Sequence, residues 1–135
     1  MQYWLVKTEP ETFSWETLIS EGCSHWDGVR NYQARNNLRA MKKDDVLLFY
    51  YSGKNPGIVG LAKVFKEHYP DTTAKEGDWS VVDVVPIRKF NRLILLQEIK
   101  NLPELENMAL VKNTRLSVQP VTIAEYKIIL HLADL

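Results

Sequence analysis

The chain has 135 residues, 45% of them hydrophobic and 25% charged, and its seventeen basic and seventeen acidic side chains give a formal net charge of zero. This is one domain's worth of sequence, residues 1–135, long enough to bury about two thirds of its unfolded surface without a disulfide or structural metal. The composition excludes a disordered, collagenous or membrane-spanning chain, because there is no low-complexity tract, no internal repeat and no apolar run approaching about 18 residues.

The N-terminal segment MQYWLVKTEP has no basic stretch followed by an apolar core, so neither export nor membrane targeting is expected. Tyr3 to Lys7 is predicted to be a strand of aromatic and branched residues, stopped where Pro10 removes a backbone donor. FSWETLISEG then predicts a helix, with Ser14 as N-cap, Phe13 and Leu18 as a hydrophobic staple and Gly22 as the stop. Cys23 is the sole cysteine. It excludes an internal disulfide, fits a reducing, cytoplasmic setting, and is expected to be a small apolar filler.

HWDGVRNYQARNNLRAMKK follows, and Tyr32 to Met41 is predicted to be a helix because Ala34, Leu38 and Met41 recur at i, i+4, i+7. From Gly28 to Lys43 there are five basic residues and no acid, leaving twelve bases against seventeen acids elsewhere. On the predicted helix, Arg35, Arg39 and Lys42 share one face. Like charges at that spacing repel, and an anion would offset the repulsion. The bland reading is that they snorkel into water; the sharper one is that they hold phosphates, which a guanidinium fork matches well.

Asp44 and Asp45 lead into VLLFYYS, a continuous apolar run typical of a buried strand. After the turn GKNPG comes the long strand IVGLAKVFKEHY, where Gly60 permits a bulge or close approach. DTTAKEGD (71–78) is predicted to be an exposed loop, and WSVVDVVPIRKF a strand that Pro86 demotes or ends near an edge. A short helical piece around LLQEIK, the loop NLPELENM and a brief strand or loop RLSVQP follow. Thr122 and Glu125 form a capping box for a last helix with Ile123, Tyr126, Ile129, Leu130 and Ala133 as its buried stripe. Strands that mostly follow one another predict an α+β fold, a small barrel or curled sheet decorated with helices.

Four tryptophans is a high count for this length. Trp15 reads as core and Trp4 and Trp79 as strand residues, but Trp26 lies in a WDG turn just ahead of the basic helix, where its ring can face a cleft. An aromatic plate beside cations is the apparatus for stacking a nucleobase while phosphates are held outside. His25, His68 and His131 are far apart and lack ligand-spaced partners, so no metal site is expected. No P-loop, G-x-G-x-x-G or G-x-S-x-G occurs, and no cofactor is expected. Lys7, Thr8 and Glu9 join a base, a hydroxyl and a carboxylate, as nucleophilic catalysis requires, though a polar strand end is the plainer reading.

YWLVKTEPETFSWE, WDGVRNYQARNNLRAMKKDDVLLFYYSGKNPGIVGLAKV, DWSVVDV and LVKNTRLSVQPVT together resemble the EVE domain family over essentially the whole chain. The resemblance implies a PUA-like fold, a small, mostly antiparallel β-barrel surrounded by short α-helices, related to YTH and ASCH domains. It implies a non-enzymatic reader of DNA or RNA carrying a modified base, such as 5-methylcytosine, with the base flipped into a barrel pocket. In that frame Trp26 stacks on the base, and Asn31, Ser52, Ser117 and Gln119 offer groups to its edge. Tyr50 or Tyr51 supplies a second wall, Lys7 and Glu9 close the polar end, and Arg30, Arg35, Arg39 and Lys42 hold the phosphate backbone. The contacts that make YTH domains specific for methyladenine do not carry over, because Glu9 and Asp27 stand where those domains carry neutral polar residues. The alternatives are an ASCH-like hydrolase of modified nucleosides using Lys7, Thr8 and Glu9, and a protein-interaction domain. A monomer is favoured.

Overall fold

A strand such as VLLFYY, apolar at every position, is stable only when both of its faces are covered. The computed structural model, which describes every residue from Met1 to Leu135, puts this segment where that happens. β3 (Val46–Tyr51) lies inside a six-stranded sheet, parallel to β1 (Tyr3–Thr8) and antiparallel to β4 (Gly57–Pro70). Outside β4 come β5 (Ser80–Leu95) and the two-residue β2 (Ser24–His25); outside β1 comes β6 (Val118–Val121). The order is β2-β5-β4-β3-β1-β6.

Alternation along β3 divides the core in two. Leu47 and Phe49 point into one cluster with Trp4, Trp15 and Trp26, covered by α1 (Trp15–Glu21) and α2 (Tyr32–Ala40). Val46, Leu48 and Tyr50 point into the other, covered by α3 (Leu96–Lys100), α4 (Ala109–Lys112) and α5 (Ile123–Leu132). The α+β class therefore holds, and all pairing is antiparallel except β1 with β3. The expected closed barrel is not formed. β2 and β6 stand at opposite ends of the sheet, two and four residues long, and do not pair. Helices cover both faces, so the sheet encloses no interior of its own.

Local chemistry explains most boundaries. Ser14 caps α1 by accepting from Thr17 N, and Gly22 ends it at φ 74°. Thr122 and Glu125 form the capping box of α5. Asp45, 2% exposed, accepts from Gln2 N, Trp4 Nε1 and Lys42 N, tying the start of β3 to β1 and to the turn after α2.

Five expectations change. The helix of the basic segment ends at Ala40, so Lys42 lies in the following turn rather than on the Arg35–Arg39 face. β5 continues through Pro86 to Leu95. β2 pairs with β5 only at Val84 and Asp83, so no outer neighbour misses the amide that Pro86 lacks. Ile123 is 55% exposed because it opens α5, and the buried positions are Ile129 within the helix and Ala133 at its C-cap, with Tyr126 and Leu130 half-buried. Cys23 is exposed, held in the turn between the Gly22 cap and β2 rather than packed as filler. The loop predicted at 71–78 is exposed except at Asp71, which is buried, and Ala74, which is half-buried.

Gly60 is the close approach that the sequence suggests. A Cβ there would stand 2.5 Å from Arg88 O and 2.9 Å from Lys89 Cα, where the β4–β5 register shifts. Both obstacles are backbone and cannot swing away. Gly60→Ala is expected to destabilise the fold by about 3 kcal/mol, the upper part of the usual overpacking cost, read as a lower urea midpoint at unchanged slope.

Candidate functional site

β1 and β3 run parallel, so their C-terminal ends lie side by side, where Ser52 N donates to Thr8 O. At this edge the apolar alternation stops and polar residues begin. A cleft of about 630 Å³ opens there, walled by Lys7, Thr8 and Glu9 from the end of β1, Ser52 from the end of β3, residues 25–31, and the 114–117 turn before β6.

Six of the eight residues expected to hold a base meet in this cleft: Lys7, Glu9, Trp26, Asn31, Ser52 and Ser117. Trp26 is 7% exposed, and its ring meets Phe13 and Phe49 edge-on at 5.7 Å. It is a wall set into the core rather than a free plate. Asn31 is the N-cap of α2; its Oδ1 accepts from Ala34 N, which leaves the Nδ2 amide to face outward. Lys7 Nζ donates to Thr114 O and lies 5.7 Å from the centroid of the Tyr50 ring, and burial lowers its pKa.

Tyr50 and Gln119 are not brought into the cleft. Tyr50 faces the other core, and Tyr51 faces a neighbouring cavity, its hydroxyl accepting from Trp15 N. The second aromatic wall is Phe13. Gln119 is fully buried, and its Nε2 donates to Leu116 O and Asn113 O, so it shapes the 113–117 turn from inside.

Of the four expected phosphate ligands only Arg30 lines the cleft. The anion that offsets the basic helix is in the chain itself. Arg39 pairs with Asp78 at 2.7 Å and donates to Ser80 Oγ; Arg35 donates to the carbonyl of Asp78. Arg30 donates to Asp71 Oδ2 at 2.9 Å and to Thr73 Oγ1. Asp71 also accepts from Gly28 N and from the amide and hydroxyl of Thr73, clamping the 26–31 turn to the β4–β5 loop.

Sequence reasoning missed Thr12, Phe13, His25, Asp27, Thr114 and Arg115 as lining residues. Arg115 is exposed and has no ion-pair partner. Its signal was available, since residues 107–124 contain Lys112 and Arg115 and no acid. His25 has no ligand-spaced partner in sequence, but its Nδ1 lies 2.8 Å from Asp83 Oδ1 and from the Tyr69 hydroxyl. Tyr69 donates to the same carboxylate oxygen, so Nδ1 carries the hydrogen and Nε2 is the site that titrates. The hydrogen bond to Asp83, followed by its charge, raises the His25 pKa above its ordinary 6.5. Burial, ahead of the bond to Asp83, pushes Tyr69 up to about 12.

Three comparisons place this geometry. The EVE domain model matches residues 2–132. Thymocyte nuclear protein 1 of Mus musculus is 44% identical over 98% of this chain and 74% of its own length. Human THYN1 protein, solved in complex with 5-methylcytosine containing DNA, superposes with a TM-score of 0.94 at 39% identity, covering 100% of this chain and 99% of that one. The YTH domain of Zygosaccharomyces rouxii MRB1 protein, at 18% identity and a TM-score of 0.62, shares the fold. No helix is long and apolar enough to cross a membrane.

Two titrations test the site. Burial opposes the Asp71 carboxylate, but bonds from Thr73, Arg30 and Gly28 outweigh it and hold the pKa at about 2. A depressed pKa contributes stability above the unfolded value of 3.8, lost as pH falls toward 2. Urea midpoints should therefore drop between about pH 4 and pH 2 by the equivalent of about 2 kcal/mol, and Asp71→Asn should flatten that drop. The raised pKa of His25 acts in the opposite sense. Its contribution is complete below 6.5 and lost as pH rises through the folded value. The His25 ring proton resonances should titrate above 6.5 in the native protein and return to the ordinary range in Asp83→Asn.

Proposed function

The chain belongs to the EVE domain family, and from that premise we propose that it is a non-enzymatic reader that binds nucleic acid carrying a modified base, taking the base out of its stack into the cleft at the ends of β1 and β3. The observation that carries the reading is the make-up of that cleft. Trp26 and Phe13 supply aromatic surface, Glu9 and Asp27 supply acceptors, and Lys7 and the Asn31 amide supply donors. A cytosine edge presents one amino donor and two acceptors, which such a set can satisfy together. The complex of human THYN1 with 5-methylcytosine containing DNA supports a modified cytosine over other bases. Arg30 and Arg115, at the rim, are the residues placed to meet phosphates flanking an extruded base.

The hydrolase reading has less support. The Thr8 hydroxyl donates to backbone carbonyls and the Lys7 amine to Thr114 O. No hydrogen bond links the side chains of Lys7, Thr8 and Glu9 into a nucleophile and its base.

Binding of short oligonucleotides that differ in a single modified base is the test. At least tenfold preference for a modified cytosine is expected, and a flat response across modifications would sink the reading. With about two phosphates held at the rim, log affinity should fall against log salt with a slope of roughly −1.5 to −2. Trp26→Ala is a poor probe, since emptying a buried Trp site costs about 3 to 5 kcal/mol of stability. Trp26→Phe keeps the wall narrow but present and should cost about 1 kcal/mol of binding to the modified strand with the fold intact.

A further inference from the structure

Tyr32 opens α2 with 67% of its surface exposed, more than any other Phe, Trp or Tyr of the chain. It is nevertheless held in place, stacked on Trp79 with centroids 5.1 Å apart and planes 17° from parallel. The Arg35 guanidinium lies 5.0 Å from the Tyr32 centroid and 5.8 Å from that of Trp79. Three such similar distances make a nearly equilateral triangle, so Arg35 sits beside the stacked pair. A cation on the outer face of Tyr32 would be separated from Trp79 by nearly both ring spacings together. The outer face of Tyr32 is therefore open to solvent.

The pair is joined to the cleft. Arg30, which lines it, lies 5.7 Å from the Trp79 centroid. Asn31, also in the wall, is the residue before Tyr32. Unlike Arg30 and Arg39, Arg35 bonds only neutral oxygens, those of Asn36 Oδ1 and the Asp78 carbonyl, so no carboxylate cancels its charge. An aromatic plate with one open face, backed by a second ring and flanked by an uncancelled guanidinium, matches an unpaired nucleobase and its phosphate. Every base has a π-face, so the plate is indifferent to sequence. The backing ring also lowers the ordering cost, because Tyr32 need not be immobilised when the base arrives.

We propose that Tyr32 and Trp79 form a second base site, a stacking plate for an unpaired nucleotide that flanks the one in the cleft, with Arg35 meeting its phosphate. The proposal rests on the nucleic-acid reading above and adds a site that serves any base, modified or not.

The test compares wild type, Tyr32→Ala and Tyr32→Phe against two probes, a single-stranded oligonucleotide of about six residues with one modified cytosine and the corresponding modified mononucleotide. Tyr32 is exposed, so both variants should keep the wild-type unfolding midpoint to within a few degrees. Tyr32→Ala should weaken oligonucleotide binding about 5- to 100-fold, to the same degree with and without the modification. Tyr32→Phe should bind as wild type, and mononucleotide binding should be unchanged in both. Oligonucleotide affinity of Tyr32→Ala within twofold of wild type overturns the plate, as does an equal loss in Tyr32→Phe, which would trace the effect to the hydroxyl. A wild type that ignores the modification yet depends on the Tyr32 ring keeps the plate and removes the modified-base reading. A wild type that binds no strand removes both.

Discussion

One buried carboxylate holds the site together. Asp71 stands where β4 gives way to the following loop and receives four hydrogen bonds, two from Thr73 in its own loop and two from Gly28 and Arg30 in the cleft wall. Gly28 takes φ 78°, a left-handed turn that an L side chain rarely adopts, and its amide is thereby turned toward Asp71. The turn fixes the direction of the chain from Trp26, anchored in the first core, to Asn31, anchored as the cap of α2. With both ends and the middle held, the residues between have little freedom left, and Arg30 is carried to the rim. A site built on a loop is precise only when something outside the loop immobilises it. Here that is a carboxylate 7% exposed.

The same loop answers the charge imbalance. A run of five bases without an acid invites the inference of an external polyanion, yet Asp71 and Asp78, more than 30 positions along the chain, take up Arg30 and Arg39. The two pairs differ in kind. Asp78 is 82% exposed at its side chain, so its pair with Arg39 is a loose, salt-screened contact that an incoming phosphate can displace. The Asp71 side chain has no exposed surface, and giving up Arg30 would leave it buried with one donor fewer. On the proposed reading Arg39 is thus available to a phosphate at small cost, whereas Arg30 binds one with its remaining N–H groups while still holding Asp71.

What the sequence disclosed follows from how far each signal reaches. Caps and turns are local, and Ser14, Thr122 and Gly60 were legible because their chemistry is decided within a few residues or by the absence of a side chain. β3 was legible as buried, and its alternation guaranteed that only one of Tyr50 and Tyr51 would face a given side. Neither borders the cleft, because the second wall comes from Phe13, whose apparent duty as a staple concealed it. Barrel closure could not be read, since it depends on whether β2 and β6 meet, and each is too short to have a periodicity. Thr73 aside, the Asp71 clamp and the His25–Asp83–Tyr69 cluster join residues 14 to 58 positions apart, and nothing near any one of these in sequence announces the others. The family resemblance supplied most of the cleft because it carries that long-range information within a pattern.

The arrangement of signs around the cleft carries the last step. Glu9, Asp27, Arg30 and Arg115 all line it and all are exposed, and Lys7 is held there against Thr114 O. A phosphate is attracted by the two guanidinium groups and repelled by the two carboxylates, so it is favoured only where it meets the first and avoids the second. A base edge with an amino group meets the opposite field and is drawn in. On the proposed reading this sorts one nucleotide into two parts, holding its backbone outside and admitting its base, before any contact specific to a modification is made. On that reading selection among modifications falls to the aromatic surface that Trp26 and Phe13 present to the cleft. Their edge-on packing against each other and, for Trp26, against Phe49 leaves neither ring free to turn. A rigid aromatic wall distinguishes a methyl group by fit, worth only about 1 to 3 kcal/mol. The proposed division of labour is therefore that the charges lining the cleft govern whether a strand is bound at all, and the aromatic wall which base it carries.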